Sequence, residues 1–391
     1  MNSLEARLRQ RIADGGALPF AEFMEEALYG EGGYYATDSP RIGPDGDFVT
    51  GSTLSPLFGA STARLVERLA GQLGGAADLL EAGYGDGRHL RALLEVLPPD
   101  LSGRRLAWDR VERPLPAGVE QLGGLETTKG RPIRGLVFSY ELLDALPFDR
   151  FRRTSEGWEL LQVGLENGEL NWVTRPLLPP TRTVAVAPAE GMPPQEEGMN
   201  LQEADTIDRA EGAPALPEVF STLPAHTELA LYAELTKPGQ IVDLSPAWRT
   251  LYRQLADSLE TGLLVTCDYG YERRRLLDAR IRMHGTLACY RRQTVHRNPF
   301  VDIGRQDITA HLDFTTLIEE GEKAGLETLG FVTQAEWLGA CGVFENLQEA
   351  DAGTRMEAAQ LLNPEGMGTA IRVLVQGRGV VAKGLFDLPL G

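Results

Sequence analysis

The chain has 391 residues, 42% hydrophobic and 24% charged, which suits one large α/β domain with insertions, or two domains, and excludes wholesale disorder. Its 38 basic and 56 acidic side chains give a formal net charge of −18, a field that repels phosphate backbones and disfavours nucleic acid as the main partner. Three cysteines without CxxC spacing and five scattered histidines indicate no disulfide framework and no metal site, and no window reaches the roughly 18 apolar residues of a membrane span.

Residues 1–13 alternate apolar and charged side chains at helical spacing, without the apolar stretch of a signal peptide. They predict a surface helix and a cytoplasmic protein. Arg7, Arg9 and Arg11 would suit a transit peptide, but Glu5, Asp14 and the lack of serine-rich sequence speak against one. Then come Tyr29-Gly30-Glu31-Gly32-Gly33-Tyr34-Tyr35, Gly46-Asp47-Phe48-Val49-Thr50 and an apolar-periodic run over 55–73. Ser55-Pro56 reads as its N-cap with proline at the first helical position.

From residue 78 the pattern changes to short apolar strands separated by helices, the alternation of an α/β fold. Strands are predicted at 78–81, 105–112 and 134–140, with a helix over 88–97. Residues 149–174 alternate around Glu166-Asn167-Gly168 and predict an antiparallel hairpin that interrupts the βα rhythm as an insertion. Residues 179–224, rich in Pro, Glu, Gly and Ala, predict a mobile excursion or small irregular subdomain. Regular patterning resumes with a helix over 246–261, a strand over 263–268 and a helix over 314–325.

The most informative segment is Glu81-Ala82-Gly83-Tyr84-Gly85-Asp86-Gly87, a buried strand entering a turn that opens a helix. Glycines there let the backbone take positive φ and approach a ligand, and the first helical N–H groups favour an anionic group. A dinucleotide fingerprint places its third glycine five residues after the first; that position is Arg88, and the glycines recur at every second residue instead. The spacing, with an acid on the strand, is similar to the first motif of class I S-adenosylmethionine-dependent methyltransferases. Glu112, at the end of the second predicted strand, is placed to accept hydrogen bonds from ribose hydroxyls. A glycine-rich turn without a ligand is the alternative.

Further segments recur in a shared order: Gly33-Tyr34-Tyr35, Gly46-Asp47-Phe48-Val49-Thr50, Ser55-Pro56-Leu57-Phe58-Gly59, Glu141-Leu142-Leu143-Asp144-Ala145-Leu146-Pro147, Asp268-Tyr269-Gly270-Tyr271, Gly285-Thr286-Leu287, Gln306-Asp307-Ile308-Thr309-Ala310-His311 and Met367-Gly368. Together they resemble the MidA-like S-adenosylmethionine-dependent methyltransferases, relatives of the mitochondrial arginine methyltransferase that assists complex I assembly. The resemblance implies a Rossmann-like class I core with an N-terminal lid segment and an inserted subdomain. It divides the chain into 1–75, helical and covering the cofactor; 76–150, the first half of the core; 151–240, hairpin and irregular insertion; and 241–391, the second half with C-terminal additions. It also implies S-adenosylmethionine as cofactor and a protein substrate, with arginine as acceptor and a respiratory complex I subunit as its source; a homodimer is an open expectation. Two positions depart from the family: Tyr84 replaces the proline of Gly-Pro-Gly, and Tyr140 replaces the asparagine before Glu141.

Arginine is a demanding methyl acceptor because its guanidinium stays protonated, so carboxylates must orient it and manage its proton. Glu141 and Asp144, three apart after a strand, are the candidate catalytic pair; loop ordering by Glu141 and helix capping by Asp144 are the alternative. Glu81, Gly83, Gly85, Gly87, Glu112, Asp47, Thr50 and Tyr140 are the candidate cofactor residues, with a turn aspartate and a strand-edge threonine as the other reading of Asp47 and Thr50. Asp268 and His311 are candidates for substrate binding; against them stand a turn-capping acid and an ordinary hydrogen-bonded histidine. A scaffold that keeps the fold without catalysis, and a methyltransferase of small molecules, are the competing functions.

Overall fold

A computed structural model describes residues 3–37, 50–177 and 225–390. Residues 179–224 and Asp47, singled out above, lie outside them.

The central sheet has eight strands. Across it run Glu327–Thr333, Ile371–Arg378, Leu259–Tyr271, Ile133–Tyr140, Ala77–Ala82, Ser102–Trp108 and Glu120–Gln121, with Leu312–Asp313 paired to the far end of Leu259–Tyr271. The five strands from Leu259–Tyr271 to Glu120–Gln121 are parallel, and Ile371–Arg378 is antiparallel to both neighbours. Strand alternation divides the apolar side chains between two faces. Leu80, Ala82, Val137 and Leu264 enter one core with helices Pro246–Ser258 and Phe314–Lys323. Leu79, Leu136, Phe138, Val265 and Cys267 enter the other with Pro56–Leu73.

The predicted elements form, with shifted ends. Ser55 caps Pro56–Leu73 by accepting from the Leu57 N–H, and Gly74 ends the helix in the left-handed conformation. The hairpin is Trp158–Glu166 with Glu169–Leu177, its turn made by Asn167 and Gly168, both at positive φ. It belongs to a second sheet of five strands with Leu18–Pro19, Asp149–Arg153 and Ile241–Leu244. Ile241–Leu244 pairs with Asp149–Arg153, and the next strand of the central sheet is Leu259–Tyr271. Periodicity could not show this, because a four-residue apolar strand reads alike in either sheet. Helix Ser3–Gly15 buries Leu4, Leu8 and Ile12 in the first core. Its apolar spacing therefore reports packing, and carries no information about destination.

Strand order reverses beside Ala77–Ala82: the chain passes next to Ser102–Trp108 on one side and later to Ile133–Tyr140 on the other. In open α/β sheets ligands bind outside the carboxyl ends of strands at such a switch point. The residues there are the 83–87 turn, the segment after Trp108, and Glu141.

Candidate active site at the carboxyl edge of the sheet

All three glycines of the turn have positive φ: 74° at Gly83, 54° at Gly85 and 71° at Gly87. A Cβ at Gly83 would also stand 2.8 Å from the Leu142 side chain. The turn is thus closed to side chains by conformation and by space, and it leads straight into helix Arg88–Val96. Glu81 is buried, and its Oε2 lies 3.0 Å from His89 Nδ1, whose Nε2 is 3.2 Å from Thr62 Oγ1. This chain ties the strand acid to the helix that follows the turn.

The second strand ends at Trp108, earlier than expected. Glu112 is consequently exposed, and the carboxylate at the strand end is Asp109. Its Oδ2 accepts from the Gly85 N–H at 3.0 Å and its Oδ1 from the Val111 N–H at 3.1 Å. Burial raises its pKa, and those backbone N–H groups oppose the rise. Sequence reasoning missed Asp109 because Val111 extended the apolar pattern by one step too many.

Tyr84 does not enter the ligand side of the turn. Its ring packs with Leu90 and Ala107, and its hydroxyl accepts from the Arg113 N–H at 2.8 Å with Gln121 Oε1 at 3.1 Å. The phenol thereby anchors the turn to the segment after Trp108, supplying by hydrogen bonds the stiffness a proline would give by its ring. Tyr84→Phe leaves the Arg113 N–H without this partner and is expected to cost about 1–3 kcal/mol. Denaturant unfolding measures the loss, and no loss would show that the hydroxyl is not an anchor.

Across the switch point, Glu141 sits at φ 46°, rare for a residue with a side chain, its N–H bonded to the Cys267 carbonyl at 2.9 Å. Its carboxyl group meets the Gly51 N–H and Tyr140, while its Oε1 is buried with no hydrogen-bond partner among the described residues. Burial first, then the charges of Asp268 and Asp307, hold its pKa well above the carboxylate range. Asp144 and Asp268 share a hydrogen bond between their carboxyl groups, and burial raises both, Asp268 to about 7. The Asp268 carboxylate accepts from the N–H groups of Leu143 and Tyr269 at 2.9 and 2.8 Å. Asp307, buried on the strand Asp307–Thr309, accepts from the Tyr35 hydroxyl at 2.9 Å and adds its charge to the group. Four carboxyl groups thus converge, and no cation is among the main influences on Glu141, Asp144 or Asp268.

The remaining candidates are sorted by their partners. The Tyr140 hydroxyl donates to Gln334 Oε1 at 2.6 Å, and its ring packs edge-on against Phe58. A Cβ on Gly51 would lie 2.1 Å from that hydroxyl, so Tyr140 forms a wall on which buried Thr50 and Gly51 close. His311 stands apart from the carboxyl groups, its ring near those of Tyr269 and Tyr271 at 6.2 and 5.7 Å. Burial, then Arg282, push its pKa down to about 4.

Comparison with known proteins agrees with this geometry. A protein of Burkholderia thailandensis, described as a candidate methyl transferase and solved with S-adenosyl-homocysteine, superposes with a TM-score of 0.76 at 26% identity, over 99% of this chain and 93% of that one. The "Protein arginine methyltransferase NDUFAF7 homolog, mitochondrial" of Drosophila melanogaster is 22% identical over 99% of this chain and 88% of its own length. The NDUFAF7 arginine methyltransferase of Xenopus tropicalis is 24% identical over 88% of this chain and 76% of its own length. Both relatives are named as mitochondrial, which overturns the cytoplasmic expectation drawn from residues 1–13. Residues 63–332 match the Methyltransf_28 model of S-adenosyl-L-methionine-dependent methyltransferases, and the chain belongs to this MidA-like family, with S-adenosylmethionine as its cofactor.

Proposed function

We propose that this methyltransferase acts on an arginine side chain of a protein, and that Glu141, Asp144, Asp268 and Asp307 form the guanidinium site. The observation that carries the reading is their convergence at the switch point, where no cation is among the main influences on Glu141, Asp144 or Asp268 among the described residues. A planar cation with five donors is the partner such a group fits. The arginine methyltransferase names of the relatives support the same acceptor, and the family resemblance extends it to a respiratory complex I subunit.

In this reading Gly83, Gly85 and Gly87 cradle the cofactor and Asp109, in place of Glu112, receives the ribose hydroxyls. Glu81 faces the cofactor as oriented by His89, while Thr50 and Tyr140 belong to its cover. When bound, S-adenosylmethionine supplies a methyl group on a sulfonium. Glu141, pinned in a left-handed conformation, aims its unpartnered oxygen to orient the guanidinium. The proton that the guanidinium must lose passes to the Asp144–Asp268 pair, whose raised affinity for protons suits it to the task.

Because that pair accepts only when ionised and Asp268 titrates near about 7, kcat/KM is expected to rise with pH through that region and level off above it. A profile flat from pH 5 to 8 would remove the pair from proton transfer. The direct test incubates the chain with radiolabelled cofactor and mitochondrial protein extract, followed by amino-acid analysis. Label in methylarginine supports the proposal; label only in another residue or in a small molecule overturns it.

A further inference from the structure

Beyond the carboxyl groups, along the same edge, the charge changes sign. The Tyr271 ring is approached by three guanidinium groups, Arg275 at 4.4 Å, Arg282 at 5.4 Å and Arg372 at 5.7 Å from its centroid. His311 lies 5.7 Å from the same ring, and Arg297 is near enough to influence its titration. Nearby arginines have ordinary partners: Arg273 pairs with Asp313 and Glu319, and Arg291 with Asp302. Arg275, Arg282, Arg297 and Arg372 have no carboxylate within ion-pair distance among the described residues, and of the four Arg372 has a carboxylate, Glu336, close enough to feel its charge. In a chain of net charge −18, four such cations in one place are not a consequence of composition.

A second, independent observation concerns hydrogen-bonding atoms. The Nε atoms of Arg282 and Arg372 are buried with no hydrogen-bond partner among the described residues, and so is Nδ1 of the half-buried His311. Buried polar atoms are normally satisfied, and three unsatisfied ones around a single ring mark a place where a ligand supplies the acceptor. Stacking on Tyr271 holds the guanidinium planes but satisfies neither of the two arginine Nε–H groups.

We propose that Arg275, Arg282, Arg372 and His311, around Tyr271, form an anion site that takes a carboxylate of an acidic side chain on the acceptor protein. Its position gives the reason. His311 follows Ala310, whose N–H bonds the Asp144 carbonyl at 3.1 Å, and the Tyr269 ring is influenced by Glu141, Asp144 and Asp268. An acceptor segment that places its arginine among the carboxyl groups therefore brings adjoining residues over the cationic cluster. The two sites together select an arginine with acidic neighbours, which an acidic pocket alone would not do. This specificity rests on the arginine reading above, whereas the anion site itself does not.

The test uses the full chain with S-adenosylmethionine and reads the anisotropy of a fluorescein-labelled octaglutamate, with no methyl transfer involved. Saturable binding is expected, weakened about tenfold or more in Arg282→Gln/Arg372→Gln through loss of charged hydrogen bonds. Arg275→Gln, at an exposed position where folding is not at risk, should weaken it in the same direction. Cofactor affinity should be unchanged in both. Absence of octaglutamate binding, or equal binding by the variants, overturns the proposal. So does loss of cofactor affinity, which would assign the arginines to the cofactor, and so does displacement by inorganic phosphate at lower concentration than unlabelled octaglutamate, which would make a free ion the occupant. If Glu141→Gln keeps full turnover while octaglutamate still binds, the guanidinium reading fails and the anion site stands.

Discussion

Glu141→Gln is expected to lower methyl transfer by about 10²–10⁴-fold while leaving S-adenosylmethionine affinity within a factor of about two, because in the proposed site the change removes the carboxyl group that pairs with the acceptor cation and keeps the shape of the site. Isothermal titration with the cofactor and single-turnover transfer measure the two quantities separately. Asp144→Asn should fall in the same range, and it should also remove the acid limb of the pH profile. Retained turnover in either variant would assign that carboxyl group to loop ordering.

The same variants should stabilise the protein when no acceptor is bound. Glu141, Asp144 and Asp268 have folded-state pKa values raised above the unfolded value near 4, Asp268 to about 7. The sign follows from linkage. A group that holds its proton more tightly when folded contributes stability that is fully present below its unfolded pKa and is lost as pH rises through the folded one. The native chain should therefore have a lower Tm at pH 8 than at pH 5 on account of this cluster, and Glu141→Gln or Asp144→Asn should reduce the difference. Destabilised charge at a site that must receive a cation is the usual form of the conflict between stability and activity.

How much of this was legible in the sequence depended on the kind of signal. The glycine turn was readable because three positive-φ residues at alternate positions need glycine whatever surrounds them, and the hairpin because Asn167-Gly168 is local turn chemistry. Glu141 and Asp144 could be named since both follow a strong apolar strand. Asp307 could be suspected as one of several polar residues but not assigned, since it reaches the cluster from a small separate sheet, across a contact no sequence window contains. Tyr84 and Tyr140 looked like faults in a motif. In the fold each is a buried anchor with a defined hydrogen-bond partner, a role that only tertiary packing reveals.

The second large effect separates Asp109 from Glu112. Asp109 accepts from the Gly85 N–H with one oxygen and the Val111 N–H with the other, with the Arg110 N–H a third donor, so it shapes the turn, and in the proposed reading its remaining acceptor capacity serves a ribose hydroxyl. Asp109→Ala loses both actions. Hydrogen bonds to a charged group are worth about 1.5–3 kcal/mol each, so cofactor affinity should fall by about two orders of magnitude, with some loss of stability from the backbone N–H groups of Gly85, Arg110 and Val111 left unpaired. Asp109→Asn keeps one acceptor and the shape, and should lose less. Glu112→Ala changes an exposed side chain beyond the strand end and should bind S-adenosylmethionine as the parent does. Titration of the cofactor into the three variants decides the matter: a large loss at Glu112 with none at Asp109 would return the ribose contact to the residue that the strand pattern first suggested, and would mean that the Ser102–Trp108 strand ends in the wrong place for this fold to bind its cofactor as proposed.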